Sequence, residues 1–296
     1  MKFLLVILCC MNTLLSSAIN RALIVGIGNY DTEKTGWGKL HGDKDVDIMV
    51  ESLQSHGFDK RNIKTLKNNQ ATKNEIIKSL KELCAEVQSG DKIIFHFSGH
   101  GQPVTDLNGD EENGLDESII PYDAFKTPKY KNGDTFYQGE NHIIDDELFP
   151  IFNEIKNRVG NNGYFLVTID ACYSRGIEMD AIGNLTPEEQ ATVAGVRGTD
   201  HILKVSEKSC LIKIKKPSNY NPKGKMTVIS ACREDERNFE YQVPFRKEIY
   251  GSLTYSICRL LRQGKSFKDI EKYFITGAYS KDKIFVQYQH PKIKVY

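Results

Sequence analysis

The 296-residue chain lacks an excess of charge of either sign, with 40 lysines and arginines against 39 aspartates and glutamates. The strongly basic face that a nucleic-acid partner needs is therefore not expected. The sequence also lacks a Cys-x-x-Cys pair, which excludes the common zinc motifs built on such pairs. Its composition is otherwise that of an ordinary globular protein, and it shows no internal repeat.

Long hydrophobic runs are also missing. The apolar run at residues 3–15 is shorter than the roughly 20 apolar residues that a membrane-spanning helix needs. It follows Lys2 and leads into Ser16-Ser17-Ala18, the pattern of a secretory signal peptide. The alternative is a membrane anchor. We predict a signal peptide over residues 1–18 and an exported or secreted protein that makes no membrane contact once the signal is removed.

Cysteines are few, and those outside the signal do not form a disulfide pattern. Their odd number and wide spacing do not resemble a disulfide framework. Cys84 and Cys258 fall in apolar helical stretches and are predicted to be core residues. An unpaired thiol in an exported protein favours a reactive role for one of the other cysteines outside the signal. The five are Cys84, Cys172, Cys210, Cys232 and Cys258.

Strand and helix patterns alternate along the chain. Such alternation predicts a three-layer α/β/α fold, in which a mostly parallel, roughly six-stranded sheet has helices on both faces. Two long stretches, 102–141 and 177–225, look irregular and suit substrate-binding loops. Strands are predicted at 21–27, 63–66, 92–97, 164–169, 226–230 and 283–288, and helices at 43–56, after Thr72, and at 145–159, 252–261 and 267–274.

Two of the predicted strands end in residues that suit nucleophilic catalysis. The run at 92–97 leads to His100, and the run at 164–169 leads to Cys172. Ligand sites gather at the carboxyl edge of a parallel sheet, so we expect the imidazole and the thiol at one edge. The alternative is that Cys172 is a packing residue and His100 a turn residue.

The expected chemistry is that of a cysteine hydrolase. His100 is positioned to accept the proton of the Cys172 thiol, because the thiolate is the effective nucleophile. The backbone N–H groups of Gly101 and Cys172 are the candidate donors to a developing oxyanion.

Motifs beyond these two residues resemble the caspase–metacaspase superfamily of cysteine peptidases, and the metacaspase branch most closely. The resemblance covers residues 21–296. It implies a caspase-type fold over 19–296 with a His100–Cys172 dyad, a large-subunit-like part at about 19–180, a linker at about 181–225 and a small-subunit-like part at about 226–296. The motifs are His-Phe-Ser-Gly-His-Gly at 96–101, Asp-Ala-Cys-Tyr-Ser at 170–174, and the stretches 40–42, 110–117, 145–147, 229–233, 250–255 and 289–291.

The resemblance also implies a specificity pocket formed by Asp170 and Ser98. A buried carboxylate there would favour arginine or lysine before the cleaved bond, because an unpaired buried charge is costly. A further carboxylate near the first helix is either Asp45 or Asp47. Arg175, which stands between Ser174 and Gly176, departs from the family pattern.

Calcium is the expected activator, although the chemistry itself requires no cofactor. The acidic stretch 106–117 has carboxylates at calcium-loop spacing, but it has Glu111 where an EF-hand needs glycine, and a strand precedes it, which excludes an EF-hand. The alternative is a solvated acidic loop. By resemblance the ligands are Asp116, Asp145, Asp146 and, if Arg175 is an insertion, Asp180.

The sequence therefore predicts a cysteine endopeptidase that hydrolyses polypeptides after Arg or Lys and cuts itself at a basic residue within 197–225. A monomer is favoured, although the sequence does not determine the oligomeric state. The alternatives are a peptidase of acidic specificity and a catalytically silent caspase-like binding module.

Overall fold

A computed structural model describes residues 18–173, 185–199, 201–205 and 223–296. The predicted signal peptide up to residue 17, together with Arg175, Asp180 and Cys210, lies outside the described residues. Across the described ranges, no helix is both long and apolar enough to cross a bilayer.

The described elements alternate much as predicted. The helices are α1 (Thr32–Thr35), α2 (Gly42–Ser55), α3 (Lys73–Glu86), α4 (Asp145–Val159), α5 (Pro187–Gln190), α6 (Ser252–Arg262) and α7 (Phe267–Ile275). The strands are β1 (Asn20–Gly26), β2 (Ile63–Lys67), β3 (Lys92–Ser98), β4 (Gly101–Thr105), β5 (Leu115–Ile119), β6 (Lys129–Lys131), β7 (Asp134–Tyr137), β8 (Ile143–Ile144), β9 (Tyr164–Asp170), β10 (Val193–Val196), β11 (Met226–Ser230), β12 (Phe239–Gln242), β13 (Ile249–Gly251) and β14 (Lys292–Val295).

The central sheet has six strands in the order β14-β11-β9-β3-β1-β2. All its pairs are parallel except β11 with β14. Helices α3 and α4 cover one face of the sheet, and α2, α6 and α7 cover the other. All seven residues of β9 are buried, as expected of a strand with helices on both faces. The predicted three-layer, mostly parallel fold is confirmed.

Local signals in the sequence account for several helix ends. The Thr72 side chain accepts a hydrogen bond from the Glu75 backbone N–H at the start of α3. Ser266 and Asp269 form a reciprocal capping box at the start of α7. Three acidic residues fill the first turn of α4, where the helix dipole favours negative charge.

The prediction of a last strand at 283–288 was wrong. These residues form no strand, and the last strand is β14, antiparallel to β11. Ile284, Phe285 and Val286 are buried by side-chain packing, with the Phe285 ring 5.5 Å from the Tyr279 ring. The apolar run thus reflects core packing, whereas the lysines of β14 suit an exposed sheet edge.

The stretches predicted to be irregular contain short elements. Residues 102–141 include β4 and β5, which join β8 in a three-stranded sheet, and the β6–β7 hairpin. In the described part of 177–225, β10 joins β12 and β13 in another three-stranded sheet. These strands have 2–5 residues, too few for a clear alternation of apolar and polar residues.

Candidate active site

His100 and Cys172 lie at the same edge of the sheet. Strands β3 and β9 are neighbours in the register Ser98↔Asp170, and each candidate residue comes two positions after this pair. The chain after His100 contacts the backbone of Cys172, because a Cβ added to Gly101 would lie 2.5 Å from the Cys172 carbonyl oxygen. The structure therefore places the predicted pair on adjacent strand ends.

The surroundings of His100 favour its neutral form. Its ring stacks on Trp37, with ring centroids 4.9 Å apart. Its Nε2 lies 2.9 Å from the Gly38 carbonyl oxygen, which only accepts, so the ring proton belongs on Nε2. Nδ1 is buried and has no hydrogen-bond partner within the described part of the chain. Burial lowers the pKa of His100 to about 4, which leaves Nδ1 able to accept a proton at neutral pH.

The Cys172 thiol is fully buried. It donates a hydrogen bond to the carbonyl oxygen of Glu236, with the two atoms 3.4 Å apart. A second thiol, that of Cys232, is near enough for Cys172 to raise its pKa. An S–H that donates to a carbonyl still carries its proton, so the candidate nucleophile is a neutral thiol here.

The pocket predicted to set specificity is filled by a side chain of the chain itself. Arg197 is fully buried, and its guanidinium lies 2.7 Å from Asp45 and 2.9 Å from Glu240. It also donates a hydrogen bond to the Ser98 hydroxyl. Ser98, which the resemblance assigns to the pocket, therefore contacts this guanidinium.

The structure decides between the two carboxylates that the sequence left open. Asp45 lies in the pocket, whereas Asp47 is exposed and pairs with Lys67 at 2.9 Å. Burial raises the pKa of Asp45 to about 6, although the Arg197 guanidinium lowers it.

Asp170 is in the pocket, but its carboxylate lies farther from the Arg197 guanidinium than the other two carboxylates do. Its carboxylate lies 3.9 Å from Arg197 and accepts hydrogen bonds from the Asn238 amide and the Thr254 backbone N–H and hydroxyl. Its main-chain carbonyl lies 3.4 Å from Arg197 Nη1. The predicted residue is therefore present, and the direct ion pairs come from Asp45 and Glu240.

Glu240 is a pocket residue that the sequence reasoning missed. Burial raises the pKa of its carboxyl, but Arg197 and the hydrogen bonds from His41 lower it further, leaving it at about 2. The His41 backbone N–H and Nδ1 both lie 2.8 Å from it. Glu240 therefore stays ionised at neutral pH and faces the guanidinium.

The backbone around Arg197 crosses the candidate site as a paired strand. Strand β10 pairs with β12 in antiparallel register, Val196↔Phe239, and the Arg197 N–H donates to the Asn238 carbonyl oxygen at 2.9 Å. Next along the chain, a Cβ added to Gly198 would lie 2.8 Å from the Cys172 Cβ. The peptide bond after Arg197 is thus beside the candidate nucleophile.

An acidic cluster lies near this edge. Carboxylate oxygens of Asp106, Asp110 and Asp116 are within 4.8 Å of one another. Asp116 is 4% exposed, and its Oδ1 has no hydrogen-bond partner among the described residues. Burial, followed by the charges of Asp145, Asp146, Asp106 and Asp110, raises the pKa of Asp116 to about 8. Three of the predicted ligands are therefore close enough to interact, and Asp106 and Asp110 join them.

Comparisons with known proteins agree with these observations. The family model described as Caspase domain (Peptidase C14) matches residues 19–278. Metacaspase-1 of Meyerozyma guilliermondii is 30% identical over 139 residues, which cover 46% of this chain and 31% of that protein. Metacaspase-3 of Arabidopsis thaliana is 29% identical over 256 residues, covering 82% of this chain and 59% of that protein. The chain thus spans about a third of the fungal relative's length.

Solved structures show a similar fold. A crystal structure of a Geobacter sulfurreducens protein superimposes with a TM-score of 0.59 and covers 94% of this chain and 93% of its own. At 19% sequence identity, this similarity concerns the fold alone.

Proposed function

Because the chain belongs to the caspase-domain family, we propose that it is a metacaspase-type cysteine endopeptidase that hydrolyses polypeptides after arginine or lysine. One observation carries the proposal. The chain's own Arg197 fills a buried acidic pocket while the following residue, Gly198, lies against Cys172.

In the proposed reaction, Nδ1 of His100 takes the Cys172 proton, and the thiolate attacks the carbonyl carbon of the residue held in the pocket. The backbone N–H groups of Gly101 and Cys172 donate to the oxyanion. Protonated His100 then gives its proton to the departing amine, and water hydrolyses the thioester. The Gly38 carbonyl keeps the imidazole oriented through both proton transfers.

The pocket favours arginine over lysine. A planar guanidinium reaches Asp45, Glu240 and the Ser98 hydroxyl at once, whereas an ammonium is a compact point charge. An acidic substrate residue would bring one more negative charge into a buried pocket that already holds carboxylates, which is strongly unfavourable. This argues against the alternative of acidic specificity.

Peptides that differ only at the residue before the cleaved bond test this order of preference among arginine, lysine and acidic residues. We expect turnover to fall from arginine to lysine and to be undetectable for aspartate. Comparable turnover of arginyl and aspartyl peptides would contradict the proposed specificity. Absence of turnover on every peptide, with or without calcium, would instead support the silent binding module.

Substitution of a pocket carboxylate tests from the side of the enzyme whether the pocket recognises a basic substrate residue. We expect Glu240→Gln to lower kcat/KM for an arginyl peptide by roughly 100-fold, because breaking a buried ion pair costs about 3 kcal/mol or more. Asp47→Asn is the matched control, since Asp47 is exposed and outside the pocket. Equal losses in both variants would contradict a role for Glu240 in substrate recognition.

We also propose that calcium binds the acidic cluster as an activator. Oxygen donors suit this cation, and the Oδ1 of Asp116, which has no hydrogen-bond partner in the described part of the chain, supports the site. Asp116 belongs to β5, which pairs with β4 in the register Gly101↔Ile119. When bound, the ion would offset the repulsion between the carboxylates and so steady the strand pair that carries Gly101.

Calcium titration of the whole chain checks this site. We expect Asp116→Asn to weaken calcium binding, measured calorimetrically, by at least roughly tenfold, because a charged ligand is lost. The exposed Asp134→Asn is the control. Calcium affinity that is the same in Asp116→Asn and in the unmodified chain would rule out this cluster as the site.

Finally, we propose that residues 1–18 direct export and that the mature protein acts as a monomer. The support is the basic, apolar and small-residue order of this stretch. Mass spectrometry of the secreted protein is expected to show a chain that lacks these residues, and light scattering a single-chain mass. A secreted protein that keeps Met1 would contradict the signal peptide.

A further inference from the structure

Two thiols lie side by side at the ends of neighbouring strands. Strands β9 and β11 pair in parallel up to Ile169↔Ser230, and the Ala231 N–H donates to the Ile169 carbonyl oxygen at 3.0 Å. Cys172 follows β9 and Cys232 follows β11. Continued past Ile169↔Ser230, this register sets Cys232 beside Ala171, the residue before Cys172. Adjacent strands are about 4.7–4.9 Å apart, and disulfides adopt Cα separations of about 4.4–6.8 Å.

The two thiols are near enough to interact, because Cys172 has the largest influence on the pKa of Cys232. Neither cysteine is in a disulfide, and both are buried, with Cys232 4% exposed. Cys232 has no part in the proposed peptidase reaction. Its neighbour is the thiol that the reaction requires.

The two thiols differ in reactivity. The interaction with Cys172, followed by burial, raises the pKa of Cys232 well above its usual value, so this thiol stays protonated. Cys172 follows the strand that pairs with the one leading to a base, His100, whose Nδ1 has no hydrogen-bond partner among the described residues. Since the thiolate is the form that attacks an oxidant, Cys172 is the first of the pair to react.

We propose that Cys172 and Cys232 form a reversible disulfide when the protein meets a peroxide, and that Cys232 is the resolving cysteine. In the first step the Cys172 sulfur attacks hydrogen peroxide, the O–O bond breaks, and sulfenic acid and water form. In the second step the Cys232 sulfur attacks the sulfenic sulfur, the S–O bond breaks, and the S–S bond and a second water form. Two thiols are oxidised, and one peroxide is reduced to two waters.

The disulfide would block the peptidase while protecting it. Sulfenic acid that is not trapped by a thiol goes on to sulfinic and sulfonic acids, which thiol reductants do not reverse. A neighbouring Cys232 diverts Cys172 into a form that dithiothreitol restores. The loss and recovery of peptidase activity rest on the proposed role of Cys172 as nucleophile. Formation of the disulfide does not depend on that role.

The test treats the whole chain with hydrogen peroxide and compares it with Cys232→Ala. We expect the unmodified chain to lose about 2 Da and to give a Cys172–Cys232 peptide in a non-reducing digest, and dithiothreitol to restore its activity. We expect Cys232→Ala to gain about 32 Da at Cys172 and to stay inactive after dithiothreitol. Cys258→Ala, which removes a buried thiol of α6, is the control and should behave as the unmodified chain.

Other outcomes are equally informative. Identical mass changes and identical recovery in the unmodified chain and Cys232→Ala would overturn the inference, as would a disulfide that joins Cys172 to another cysteine. A chain that forms the Cys172–Cys232 disulfide but cleaves no peptide before oxidation would contradict the proposed peptidase and leave the disulfide standing.

Discussion

Cys172→Ala is expected to lower kcat/KM for arginyl peptides by at least roughly 10⁴-fold, because the nucleophile of a covalent mechanism has no substitute. Fluorogenic arginyl peptides measure this loss directly. Folding should be little affected, since the change removes one sulfur atom and its hydrogen bond to Glu236. Thermal unfolding of the variant, followed alongside, is expected to stay within a few degrees of the unmodified chain.

The neighbouring cysteines provide the controls for this result. Cys84→Ala removes a buried thiol of α3 and should leave the rate unchanged. Cys232→Ala should also remain active under reducing conditions. Activity that survives in Cys172→Ala and disappears only when Cys232 is also replaced would transfer the role of nucleophile to the second thiol.

Arg197→Ala is expected to abolish cleavage of the chain between Arg197 and Gly198. We propose this bond as the self-processing site, because the pocket holds Arg197 and the next residue lies against Cys172. Intact mass and N-terminal sequencing after incubation with calcium should show a fragment that begins at Gly198 in the unmodified chain and none in the variant. Arg197→Lys should be cut more slowly, as an ammonium makes fewer simultaneous contacts.

The same substitution should destabilise the fold. Arg197→Ala leaves Asp45, Glu240 and Asp170 in a buried pocket without a cation, and such a change costs about 3–5 kcal/mol. The exposed Arg246→Ala is the control for both readouts. If the unmodified chain is never cut after residue 197 while Arg197→Ala still loses stability, Arg197 is a structural counterion and the binding-module alternative is favoured.

The fold, and the placement of the candidate pair at one edge of the sheet, were predictable because their signals are local. Apolar runs buried on both faces marked β3 and β9, and the residues just after such strands must lie at one edge of the sheet. His100 and Cys172 needed no knowledge of distant contacts. The same holds for α4, whose acidic first turn and apolar stripe set its start and length.

The occupied pocket was not predictable, because its parts come from distant stretches. Arg197 pairs with Asp45 of α2 and with Glu240 of β12, and no sequence spacing links these three residues. A basic residue in a long connection looks like any solvated charge. Its burial follows only once the folded sheet brings α2, β9 and β12 together.

If the chain cuts itself after Arg197, as proposed, the position of this residue at the end of β10 has a further consequence. The new carboxyl terminus at Arg197 would still be joined to Cys172 through the intervening residues, so its local concentration is of millimolar order whatever the amount of enzyme. Substrate peptides would then compete for the pocket with this covalently attached product, and dilution of the enzyme would not relieve the inhibition. In the stretch between Cys172 and Arg197 the only lysine or arginine is Arg175. A second cut after Arg175 would release the segment that ends at Arg197 and so free the pocket.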